Sequence, residues 1–198
     1  MTGLHNLTHG KQVCPLLREC YRLTTDTVIN ESVISNYVSK LSEEIYVDCN
    51  DHNQLVLIGV LPLGPVIAER IAHQIKKNHE IDIMTGQLDI TIFLNPDQLK
   101  GPFIDLHQTD IPFSLKNKHV VLIQEILTTG LKAKAALNAL SDFDSPKDIK
   151  LATLIDRNNR KFPIYANYVG EIIESNIEET MSVELLEVNG TDQITISS

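Results

Sequence analysis

The sequence predicts an α/β fold with a mostly parallel central sheet and helices on both of its faces. Short continuous apolar runs, Leu55 to Val60, Val120 to Ile123 and Ile149 to Ile155, have the character of parallel strands buried on both sides. Segments with apolar residues at helical spacing separate them, and strand and helix alternate along the chain. Ligands of such sheets bind beyond the carboxyl ends of the strands.

Taken in order, residues 1–25 show no clear period and read as a leading arm to one domain covering residues 1–198. Asn30 can cap a helix whose apolar stripe is Val33, Ile34, Tyr37, Val38, Leu41 and Ile45. After a polar break at Asp48 to Gln54 comes the first buried strand, Leu55 to Val60. The turn LPLG follows, then a helix from about Pro65 to Lys77, with proline suited to the first turn. Gln87 to Leu94 alternates apolar and polar residues and predicts a strand. Asn95 to Lys118 carries prolines, Gly101 and no sustained period, which reads as a long loop. The strand Val120 to Ile123, a helix from Leu131 to Leu140 and the strand Ile149 to Ile155 follow. Tyr165 to Val169, closed by Gly170, reads as a short strand, and Val183 to Val188 and Gln193 to Ile196 as terminal strands.

Composition narrows the function classes. With 42% hydrophobic and 22% charged residues, 198 residues suffice for one sizeable core. The three cysteines, Cys14, Cys20 and Cys49, form no CxxC pair, and no histidine sits at metal-ligand spacing. A disulfide framework and a bound metal are therefore not expected, and a reducing compartment fits. The opening residues lack the apolar run of a signal peptide, and Leu55 to Ala68 is too short and too broken to span a bilayer, so a cytoplasmic protein without membrane contact is expected. A net charge of −9 disfavours RNA as a partner without excluding a local basic patch. Lys147, Lys150, Arg157, Arg160 and Lys161 form the one plausible cluster, against six glutamates between Glu171 and Glu187.

The stretch VVLIQEILTTGLKAK, Val120 to Lys134, carries the chemistry. An apolar strand leads to the polar pair Gln124 and Glu125, a turn at Thr128, Thr129 and Gly130, and a helix opening with Leu131 and Lys132. A helix start offers unpaired N–H groups and the positive end of the macrodipole, which together favour an anion. A carboxylate just upstream can accept hydrogen bonds from sugar hydroxyls. Two plainer readings stand beside this one: a helix start without a ligand, and ordinary polar residues at a strand end.

Four segments in the same order, LVLIGVLPLG, GQLDITIFL, DIPFSLKNKHVVLIQEILTTG and LATLIDRNNRKFPIYANYVGE, resemble the bifunctional pyrimidine operon regulator and uracil phosphoribosyltransferase family. The last is the most specific, through Asp156, Arg157, Arg160, Pro163, Ile164, Tyr168 and Gly170. The resemblance implies a type I phosphoribosyltransferase fold with a small hood, and a homodimer. It implies that Gln124, Glu125, Thr128, Thr129, Gly130, Leu131 and Lys132 bind ribose and phosphate. By the same token Leu61, Pro62, Leu63 and Gly64 form the pyrophosphate turn, and Asp156 and Arg157 lie on the base side. The resembled family often holds a cis peptide in that turn, and the matching bond joins Leu61 to Pro62, where proline lowers the cis penalty to about 0.5–1 kcal/mol.

The chain departs from the family pattern where charge matters. Leu61, Pro62 and Leu63 replace basic residues, although an apolar strand-to-helix turn accounts for Leu61 and Leu63 equally well. Gln124 replaces the first acidic residue, and Leu131 and Lys132 stand where Arg and Thr are usual. No arginine occurs between Arg70 and Arg157, leaving Lys100 as the nearby cation for a closing loop. The expected function is a degenerate member that binds a phosphorylated ribose ligand, such as a nucleoside monophosphate, with little or no transfer and no cofactor. The alternatives are an active uracil or other nucleobase phosphoribosyltransferase, using phosphoribosyl pyrophosphate with magnesium and Glu125, and an RNA-binding pyrimidine operon regulator.

Overall fold

A computed structural model describes residues 27–94, 109–141, 143–174 and 179–197. The expected leading arm, most of the expected long loop and Lys100 lie outside these residues. Five parallel strands form the main sheet in the order β3 (Met84–Leu88), β2 (Leu55–Val60), β4 (His119–Leu127), β5 (Asp148–Asp156), β6 (Tyr168–Ile172). A second, antiparallel sheet of β1 (Thr27–Asn30), β8 (Gln193–Ser197) and β7 (Thr180–Glu184) forms the hood. Among the described residues no helix is long and apolar enough to cross a membrane.

Helices cover both faces of the main sheet, and this explains why its central strands read as unbroken apolar runs. On one face α1 (Glu31–Asp48) and α2 (Gly64–His79) set Ile34, Leu41, Ile45, Ile67 and Ile71 against Leu57, Val121 and Leu154. On the other, α4 (Leu131–Ser141) sets Ala133, Ala136 and Leu140 against Val56, Ile58 and Leu122. Successive residues of β2 and β4 thus point to different cores, as the strand period requires. The small residues of α4 suit a helix lying close to the sheet. As the sequence predicts, Asn30 caps α1: its Oδ1 accepts the Val33 N–H at 3.3 Å. The far end of α1 is tied to the sheet by Asp48, which accepts hydrogen bonds from Lys150 Nζ at 2.5 Å and the Tyr168 hydroxyl at 2.7 Å. Burial, reinforced by the Asp48 carboxylate, pushes the Tyr168 hydroxyl up to about 12.

Three segments depart from expectation for local reasons. The predicted strand Gln87 to Leu94 is instead the end of β3 followed by one helical turn, α3 (Thr91–Leu94). Asp89 Oδ1 accepts from both the N–H and the hydroxyl of Thr91, at 2.8 and 2.6 Å, and this side-chain cap takes the chain out of the sheet. Tyr165 to Val169 is displaced by three residues, and Gly170 lies inside β6 rather than closing it. A Cβ on Gly170 would come within 2.4 Å of the Leu154 carbonyl, so the glycine serves close strand packing rather than a turn. Past Glu184 the predicted strand turns into α5 (Leu186–Asn189), where Asn189 Oδ1 accepts the Leu185 N–H at 3.0 Å. The strand β1 carried no signal in the sequence reading, because four residues paired only to β8 show too little periodicity.

Arg70 of α2 holds the hood to the main body. Its guanidinium makes bonds of 2.9 and 2.5 Å to the Glu187 carboxylate, and of 2.9 and 2.7 Å to the Asp192 carboxylate. Burial alone would raise the Asp192 carboxyl. The bonds from Arg70 and the Leu186 N–H outweigh it and hold the group below its ordinary range, and Arg70 does the same for Glu187. Depressed carboxyl values mean that the stabilisation is fully present above the unfolded-chain values, about 4, and is lost as pH falls through the folded values. Arg70→Met is therefore expected to lower stability at neutral pH by about 1.5–3 kcal/mol. Urea unfolding across a pH series checks this. The gap from wild type should close in acid, and a gap that stays constant would contradict the assignment.

Candidate ligand-binding site at the carboxyl end of β4

The turn after β2 sits hard against β4. A Cβ on Gly59 would lie 2.1 Å from the Pro65 nitrogen, and one on Gly64 2.5 Å from the Ile123 carbonyl, so glycine is required at both ends of the turn. The Leu61–Pro62 bond is cis, as the resemblance implied. Leu61 donates its N–H to the Leu88 carbonyl at 3.0 Å and faces β3. Pro62 and Leu63 form one wall of a cavity of about 490 Å³.

The opposite wall is the end of β4 and the start of α4. The strand runs to Leu127, four residues beyond the predicted Ile123, so Gln124 and Glu125 lie within the sheet. Gln124 pairs in register with Thr153 of β5. Gln124 is fully buried and Glu125 is 7% exposed. Gln124 Nε2 donates to the Ile126 carbonyl at 3.3 Å, and Glu125 Oε1 accepts from Lys132 Nζ at 2.5 Å. The second oxygen of each side chain, Gln124 Oε1 and Glu125 Oε2, is buried without a hydrogen-bond partner. Buried acceptors left without partners are costly unless a ligand supplies donors.

Thr128, Thr129, Gly130, Leu131 and Lys132 wrap the cavity floor. Gly130 has a φ of 84°, a conformation that favours glycine, and its carbonyl accepts the first α4 bond from Lys134. Thr129 Oγ1 accepts the Leu131 N–H at 3.3 Å, while the Thr129 carbonyl accepts from Lys161 and Phe162 at 3.0 and 2.9 Å. Arg160 clamps the turn from behind. It donates to the carbonyls of Thr128 at 2.7 Å and Ile164 at 2.8 Å, and pairs with Asp156.

All seven residues expected to bind ribose and phosphate thus meet in one cavity, with Pro62, Leu63 and Arg157. Leu61, Gly64 and Asp156 do not line it. Arg157 is 9% exposed and donates to the Glu179 carbonyl at 2.9 Å, linking β5 to the hood. Ile126, Leu127 and the hood residues Met181, Ser182 and Val183, which the sequence did not mark, complete the lining. Nothing in the local pattern of β7 marks it, since three residues reach the cavity only through the long-range pairing of β7 with β8.

A family model for the phosphoribosyl transferase domain matches residues 30–187, most of the chain. The chain belongs to the type I phosphoribosyltransferase superfamily. It is 35% identical over 171 residues to the bifunctional protein pyrR of Enterococcus faecalis, covering 86% of this chain and 95% of that one. The bifunctional protein PyrR of Chloroflexus aurantiacus is 35% identical over 169 residues, covering 85% and 93%. Two solved structures share the fold. One is a hypoxanthine-guanine phosphoribosyltransferase from Bacillus anthracis, with a TM-score of 0.63, 23% identity and coverage of 88% of this chain and 99% of that one. The other is a hypoxanthine phosphoribosyltransferase from Trypanosoma cruzi in complex with the product IMP, with a TM-score of 0.66, 16% identity and coverage of 90% and 96%. The cavity of this chain lies at the carboxyl end of a parallel strand, where this architecture places ligands.

Arg160 and Asp156 are 8% and 10% exposed, so removing one partner leaves a buried charge uncompensated. Arg160→Met is expected to destabilise the protein by about 3–5 kcal/mol in denaturant unfolding. A loss under about 1 kcal/mol, in the range of exposed pairs, would show that the clamp does not hold the turn.

Proposed function

We propose that the chain binds a phosphorylated ribose ligand, a nucleoside monophosphate or similar, between the turn of Thr128 to Lys132 and the Gln124–Glu125 pair, with little or no phosphoribosyl transfer. The observation that carries this reading is the pair of buried, unpartnered acceptors, Gln124 Oε1 and Glu125 Oε2, beside a helix start. Ribose hydroxyls are donors that such acceptors can take, and the phosphate of the same molecule suits the N–H groups of the turn. On the opposite wall Pro62 and Leu63 offer a pyrophosphate no side-chain cation, and Pro62 offers no N–H. Each missing charged contact to a developing transition state costs about 2.7–4 kcal/mol, so several together remove many decades of rate.

Active transfer to uracil or another nucleobase is the second reading, favoured by the 35% identity to bifunctional pyrR relatives over nearly their whole length. The regulatory RNA-binding reading has less support. Lys147 and Lys150 stand at the start of β5, while Arg157, Arg160 and Lys161 follow its end, about 20 Å away at the rise of a strand. Lys150 is paired with Asp48 and Arg160 with Asp156, which leaves no continuous basic strip from this cluster. A cytoplasmic homodimer completes the proposal.

Titration calorimetry with uridine monophosphate is expected to show saturable binding, abolished by disrupting the turn through Gly130→Val. Absence of heat, or binding that ignores that change, would contradict the site. In a product assay with phosphoribosyl pyrophosphate, uracil and magnesium, turnover should be negligible. A rate of about 1 per second or more would establish the second reading in its place.

A further inference from the structure

The Lys132–Glu125 pair bears on the metal ion that phosphoribosyl transfer would recruit. Magnesium takes oxygen ligands in octahedral geometry and is usually held by one or two carboxylates together with substrate phosphates. The donor set here does not fit it. Gln124 brings a neutral amide in place of a carboxylate, and Asp156 is paired with Arg160. Among the described residues no group of three or more His, Cys, Asp or Glu could hold a metal ion. Among the described residues the one carboxylate lining the cavity, Glu125, already carries the Lys132 ammonium at 2.5 Å. A divalent ion would have to approach with that ammonium in contact with its intended ligand, at a strongly repulsive separation.

We propose that the Lys132 ammonium is the resident cation of this site, standing between Glu125 and the ligand phosphate in place of magnesium, so that the ligand binds without a metal. This rests on the ligand-binding reading above and adds how the charge is balanced. An ammonium has three donors, and only one is directed at Glu125. The Lys132 side chain is 43% exposed and lines the cavity, whereas that of Glu125 is 9% exposed, so the remaining donors face the space a phosphate would enter. Lys132 belongs to the first turn of α4, the helix end that favours an anion. Anion, lysine and carboxylate then form a charge-alternating row, and Glu125 Oε2 is left to accept from a ribose hydroxyl.

The test is calorimetric titration of the full chain with uridine monophosphate, once in EDTA and once in excess magnesium chloride. The expected dissociation constants agree within about twofold. Lys132→Met should weaken binding by about ten- to a hundredfold in EDTA, the range of a lost hydrogen bond to a charged group, and added magnesium should recover part of the loss. Lys132→Arg should retain binding in EDTA. Wild-type binding about tenfold tighter with magnesium would overturn the proposal while leaving the ligand site standing. Unchanged binding by Lys132→Met would overturn it as well. No binding in either buffer would remove the ligand-binding reading and this inference with it.

Discussion

The organisation of this protein depends on β4, a strand with sheet neighbours on both edges and helices over both faces. Five of its residues pair with β2 along one edge and eight with β5 along the other, and Val120 to Ile123 are buried on both faces. Once those apolar residues are in place, the polar residues that follow are buried with them and line the cavity. Gln124 and Glu125 are carried into the sheet as its continuation, and the strand ends only where Gly130 permits the reversal into α4. The buried acceptors are a consequence of strand geometry, and the cavity exists because the turn and hood wall it in.

Lys132 and Arg160 compensate that burial from opposite sides. Arg160 satisfies carbonyls behind the turn and neutralises Asp156, so the turn has a fixed shape before any ligand arrives. Lys132 neutralises Glu125 from the front while remaining partly open to solvent. This is a different solution from two carboxylates waiting for a divalent ion.

Much of this was legible in the sequence, and the exceptions have physical causes. The helix α1, the strands β2 and β5, and the helices α2 and α4 followed from periodicity and end signals, because each buries a regular apolar stripe. The contributors to the cavity along Gln124 to Lys132 were legible because they are contiguous. Elements decided by one side chain were not: Asp89 capping α3 and Asn189 ending the strand before α5 each override a β-like alternation. Nor were the contacts that span the chain, such as Arg70 to Asp192 and the entry of Met181 to Val183 into the cavity. Sequence order says nothing about those neighbours. The ion pair between Lys132 and Glu125 lies between. Both residues stood out as charged, but their contact needs the sharp turn at Gly130 that folds α4 back over the strand end.

The most direct test is a crystal structure of the protein grown with uridine monophosphate in a magnesium-containing buffer. The phosphate is expected on the N–H groups of the Thr128 to Lys132 turn, with Lys132 Nζ touching both the phosphate and Glu125. The ribose hydroxyls should donate to Gln124 Oε1 and Glu125 Oε2. A metal ion bound to Glu125 with Lys132 displaced, or a nucleotide seated elsewhere while this cavity holds only solvent, would contradict the account.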